Sequence, residues 1–125
     1  MNRMLSTNAF TRIAAAAILA AGVFTTNVAQ AYERWVWIVN EGREAIYYVH
    51  ITHVDDTSWG RDLLGRDVIM VGDSLRVEPR RHQGYCRFDV KIVYASGREV
   101  IRENVNLCEA YRIEVDGRRT QVYYV

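Results

Sequence analysis

Four side chains that could hold a divalent metal lie within one short stretch, His50, His53, Asp55 and Asp56. His53 with Asp55 is the pair best placed to do so, and Asp56 could assist. On a strand, however, residues three apart point to opposite faces, which separates His50 from His53. Zinc sites draw on three or four converging ligands, so the stretch reads first as a solvated strand end. A small-ligand or metal-binding domain using His53 and Asp55 is the alternative. His82, in the basic run Arg80-Arg81-His82, reads as part of a polar loop. Nucleophile chemistry is thinly represented. Ser58, Ser74 and Ser96 sit in turn contexts outside any Gly-x-Ser-x-Gly pattern, and no glycine-rich phosphate loop occurs. The expectation is a protein that is not an enzyme and carries no cofactor.

The remaining chemistry is redox. Cys86 and Cys108 are the only cysteines, twenty-two residues apart with no histidine between them. The separation is far from a Cys-x-x-Cys metal or redox spacing, and an even count in an exported chain reads as a disulfide. Export is indicated at the other end of the sequence. Arg3 and Arg12 lead an apolar run over residues 13–23, and Ala29-Gln30-Ala31 supplies the small-x-small cleavage pattern of a secretory signal peptide. Eleven apolar residues fall short of the roughly twenty that span a bilayer. Residues 1–31 are therefore expected to be removed, leaving no stable membrane span and a single domain over residues 32–125, periplasmic or extracellular.

That domain keeps fourteen basic and fifteen acidic residues, and every basic one except Lys91 is arginine. The balance gives no electrostatic footprint for nucleic acid. The arginine bias would suit carboxylate or phosphate contacts, with genome composition as the plainer reading.

Residues must be positioned by elements, and the elements read as strands. Residues 35–39, 45–52, 68–71, 75–78, 86–94, 99–107, 111–115 and 121–125 are short β-rich runs separated by turn signals. The clearest has Cys86, Phe88, Val90, Ile92 and Tyr94 on one face, against Arg87, Asp89 and Lys91 on the other. Tyr111, Ile113 and Val115 alternate likewise. Residues 35–39 are apolar on both faces, which predicts a central strand with Trp35 and Trp37 packed in the core. About seven short strands in 94 residues give an all-β fold, an antiparallel β-sandwich, with a small β-barrel as the alternative.

Two features stand out as interaction candidates. Residues 54–65 make a long connection carrying Trp59, Arg61, Leu63 and Leu64, expected to fold inward as a lid over one end of the sandwich with Trp59 largely buried. The tail, with Tyr123 and Tyr124, has high β propensity and is expected to pair with residues 111–115 through the Asp116-Gly117 turn, at a sheet edge open to self-association or docking.

Several short patterns recur together: Val39-Asn40-Glu41-Gly42, then Trp59-Gly60-x-Asp62-x-Leu64-Gly65, Gly72-x-Ser74, Cys86-x-Phe88-Asp89-Val90, Gly97 and Asn106-Leu107-Cys108. As a set over residues 39–108 they resemble small exported all-β domains of proteobacteria that are uncharacterised. The resemblance implies a secreted β domain and no activity or catalytic residue. The function expected from the sequence is a non-enzymatic secreted or periplasmic binding module, whose partner would be an envelope protein or a glycan.

Overall fold

The structure is a computed structural model that describes residues 34–80 and 84–125. The expected signal peptide and His82 lie outside the described residues. Seven strands follow in chain order: β1 (Val36–Asn40), β2 (Ile46–His53), β3 (Ser74–Val77), β4 (Arg87–Tyr94), β5 (Glu99–Asn106), β6 (Ala110–Val115) and β7 (Thr120–Tyr124). They form two sheets, β3-β1-β6-β7 and β2-β4-β5. This is the sandwich that the alternating sequence predicts. One pair departs from the antiparallel scheme, because β1 runs parallel to β6, with Trp37 opposite Arg112 and Val39 opposite Glu114.

The two inner faces meet in one core. Val36 and Ile38 of β1 and Ile113 and Val115 of β6 face Val49 and Ile51 of β2 and Phe88, Val90, Ile92 and Tyr94 of β4, all essentially solvent-free. Each such aliphatic or aromatic side chain contributes roughly 1.5–3 kcal/mol by leaving water. Strand β4 buries every second residue, as its alternation predicts. Cys86 departs from that phase. It lies one residue before β4 begins and is exposed.

Four further expectations are corrected. Trp35 and Trp37 are not core: β1 is central, but only its Val36–Ile38–Asn40 face is covered, and Trp37 stands 40% exposed on the outer face. Residues 68–71 do not form a strand. Only Ile69 reaches the core, through one bridge to Ile46, while Val68, Met70 and Val71 stay in solvent. Tyr111 does not continue the inward phase of Ile113 and Val115, because a bulge between Ala110 and Arg112 turns it outward. A similar irregularity between Ile46 and Tyr48 places both Tyr47 and Tyr48 in solvent before Val49 returns to the core.

The fourth concerns residues 54–65, which do not close one end of the sandwich. They run along the free edge of β2. Leu63 N–H donates to Val49 O at 2.8 Å, and the next segment exchanges two bonds between Ile46 and Ile69. An open strand edge invites pairing with another chain, and here the connection covers it. The tail does pair as expected, β7 with β6, with Val115 opposite Thr120. Among the described residues, strand β7 has no second neighbour and forms an edge of its sheet.

Candidate functional site

Asp62 organises the segment that carries Trp59. One carboxylate oxygen accepts the N–H groups of Val49 at 2.9 Å and Leu64 at 3.1 Å, and the other accepts that of Gly65 at 3.0 Å. Gly60 and Gly65 both hold positive φ, +68° and +61°, which other residues adopt at a cost. Leu64 then drops into the core and Leu63 packs against it. With Asp62 at the strand edge and Leu64 inside, Trp59 and Arg61 are left on the outside.

Trp59 is half-buried rather than core. The Lys91 ammonium lies 5.0 Å from its ring centroid, and Lys91 belongs to the outward set of β4. Gly60 approaches the Thr52 side chain, and its carbonyl lies 3.2 Å from His50 Nδ1. The ring therefore rests on the solvent face of the β2-β4-β5 sheet. Beside it opens a cleft of about 540 Å³ lined by Trp59, Arg61, Arg80, Asp56, Ser58 and Thr52, among others. A ring face, two guanidiniums and several hydroxyl or carboxylate groups converge there. Such a set stacks on a planar or sugar-ring surface and donates hydrogen bonds to an acidic group.

The other expected residues lie elsewhere. His53 stacks face to face on Tyr85, with centroids 3.8 Å apart, and its buried Nδ1 has no hydrogen-bond partner among the described residues. Asp55 is exposed, and no three metal-ligating side chains converge among the described residues. Cys86 and Cys108 form the disulfide. Tyr123 and Tyr124 belong to the other sheet and are not brought to Trp59.

Tyr123 instead joins a row that the sequence did not announce. On the outer face of the β3-β1-β6-β7 sheet, Arg76, Trp37, Arg112 and Tyr123 lie side by side across four strands. Arg76 sits over Trp35, and Arg112 lies 4.4 Å from the Tyr123 ring centroid. The sequence signal is the period-two split of residues 35–40, with small and aliphatic side chains on one face and tryptophans on the other.

Acidic groups at these loops are mostly held in their charged form. Hydrogen bonds from Ser96 lower Glu44, backbone N–H groups of Arg119 and Arg118 lower Asp116, and the Tyr123 hydroxyl lowers Glu114. Glu41 goes the other way, raised by its hydrogen bond and like charge with Glu114. A carboxylate lowered in the folded state binds more protons when unfolded, so its stabilisation is present at neutral pH and lost in acid. Thermal melts from about pH 5 to pH 2.5 are expected to show a steady fall in Tm. Glu114→Gln should flatten part of it, and an equally steep fall in that variant would remove Glu114 from the account.

Neither a search of protein-family models nor a search of curated proteins returned a match. Among solved structures, an NMR structure of a protein from Eubacterium rectale is similar over 74% of this chain and 87% of that chain, with 16% identity and a TM-score of 0.47.

Proposed function

We propose that this chain is an exported, non-enzymatic binding module and that the Trp59 cleft takes a saccharide bearing an acidic group. The observation that carries the reading is the placement of Trp59. A ring left partly open beside a segment as tightly organised as residues 60–65, with Lys91, Arg61 and Arg80 around it, is available to a ligand. The volume falls within the range of small-ligand sites. The disulfide is consistent with an oxidising compartment outside the cytoplasm, where envelope glycans are met.

Calorimetric titration with neutral and uronic-acid oligosaccharides tests the proposal. Binding of the acidic set is expected, weakened about tenfold or more by Trp59→Ala. Arg61→Ala is expected to weaken the acidic ligands while sparing neutral ones. Because the ring is partly shielded rather than core, Trp59→Ala should cost about 1–3 kcal/mol of stability, below the cost of a fully buried aromatic. Equal affinity in wild type and Trp59→Ala, or no binding of either set, would reject the site.

A further inference from the structure

Three turns meet at one end of the sandwich, and each brings an arginine. Arg43 comes from the β1–β2 connection, Arg98 from the β4–β5 hairpin and Arg118 from the β6–β7 hairpin. The turns are joined by backbone bonds, Glu41 N–H to Val115 O at 2.8 Å and Ala95 N–H to Ala45 O at 3.0 Å. Between them lies a cleft of about 360 Å³ lined by Arg43, Arg98, Arg118 and Asp116.

Arg98 is fixed in place. Its guanidinium lies over the Tyr94 ring at 5.3 Å and donates to Glu44 Oε2 at 3.3 Å. It also packs so closely on the buried Gly117 that a Cβ there would stand 2.7 Å from Arg98 Nη2. Arg43 and Arg118 are different: neither makes an ion pair among the described residues. The nearby carboxylates also hold backbone, Glu44 with the oxygen that does not pair with Arg98. Glu44 accepts Ser96 N–H at 3.1 Å, and Asp116 Oδ1 accepts the N–H groups of Arg118 at 2.9 Å and Arg119 at 2.8 Å. Beneath this arrangement the Tyr94 hydroxyl is buried against the Gly117 turn.

Glu44 matches Arg98 and Asp116 stands in the cleft wall, so three guanidiniums face two carboxylates, and an anion between Arg43 and Arg118 would balance the remaining positive charge. We infer that this end of the sandwich is a phosphoryl-binding site, in which Arg43 and Arg118 close on an oxyanion beside the preset Arg98. Guanidinium forks match the oxygens of a phosphoryl group, and the cleft has room for the group together with part of the molecule that bears it. The site is separate from the Trp59 cleft, and its residues are not used there.

Calorimetry and thermal melts of the oxidised protein with inorganic phosphate and with glycerol phosphate, and co-sedimentation with vesicles containing phosphatidic acid, provide the test. The double variant Arg43→Ala/Arg118→Ala is the comparison, since neither side chain makes an ion pair among the described residues and the fold should survive. A rise in Tm and measurable binding are expected in wild type, with affinity lowered about tenfold or more for each arginine removed. Binding of the two soluble phosphates without vesicle capture assigns a soluble ligand. Vesicle capture that the double variant loses assigns a lipid headgroup. Binding of equal strength in the double variant, or no response to any of the three probes, overturns the site. Trp59→Ala should leave this binding intact, so failure here is distinguishable from failure of the saccharide proposal.

Discussion

Replacing Asn40 by Ala is expected to lower the unfolding free energy by about 3 kcal/mol or more, a large share of what a domain of this size has. Asn40 is the buried polar side chain on the inner face of β1, fully shielded from solvent. Its amide nitrogen donates to Glu44 O at 2.8 Å and Ile69 O at 2.9 Å, and its Oδ1 accepts Gly42 N–H at 3.0 Å. One side chain thus closes the β1–β2 turn and anchors the segment that bridges to the edge of β2. Alanine would orphan Gly42 N–H and Glu44 O and leave Ile69 O with Ile46 N–H alone, and each orphaned buried group costs about 1–3 kcal/mol. Leucine restores volume but no bond, so it should not rescue. Aspartate keeps an acceptor for Gly42 and turns a carboxylate toward two carbonyl oxygens, so it should be no better. Urea unfolding of the three variants decides this. A loss below about 1 kcal/mol for Asn40→Ala would mean that water replaces the side chain at little cost.

Asn40 also shows where reading the sequence succeeds and where it stops. The pattern Val39-Asn40-Glu41-Gly42 is visible as a turn signal, yet its partner Ile69 lies twenty-nine residues on, and no local rule connects them. The same holds for the strands. In β4 composition and period agree, so residue order alone places Phe88, Val90, Ile92 and Tyr94 inward. In β1 both faces are apolar by residue type. Trp37 faces outward between Arg76 and Arg112, neighbours that distant parts of the chain supply. Residues 68–71 have strand composition without strand structure, because only Ile69 is caught by a neighbour. The bulges at Tyr48 and near Tyr111 leave no compositional mark at all.

The candidate sites divide in the same way. Trp59 and Arg61 are named by the sequence as interaction candidates, but the sequence reading folds Trp59 inward, whereas the structure leaves the ring partly open on the solvent face of the sheet. Arg80 and Lys91 join them only through folding. The three arginines at the other end are hidden by their spread over three separate turns, each unremarkable alone. The arginine bias of the domain is visible, but bias of composition says nothing about convergence.

Removing the disulfide is the other change expected to cost most. Cys86→Ser/Cys108→Ser should lower stability by about 3 kcal/mol, because an open chain regains the freedom of a loop twenty-two residues long when it unfolds. For a domain of this length that corresponds to a fall in Tm of roughly 12–24 °C. The native fold should persist below the lower Tm, since the strands flanking the bond are paired without it. Arg87 lies opposite Asn106, and Leu107 N–H donates to Cys86 O at 2.8 Å. Both cysteines are exposed, so mild reductant should reach the bond in folded protein and give the same loss as the double variant. Alkylation without prior reduction should label neither residue in oxidised material. The location gives the bond its leverage. Strand β5 ends at Asn106 in one sheet and β6 begins at Ala110 in the other, so Cys108 sits where the chain crosses between sheets. The last residue closes on the same crossing, Val125 N–H donating to Glu109 O at 2.9 Å. Tying that crossing to the start of β4 holds the two sheets at a point where the chain has only three residues, 107–109, to pass between them. A double variant that loses less than about 1 kcal/mol would show that the unfolded chain already keeps β4 and β5 together, and the bond would then constrain little that the hairpin does not.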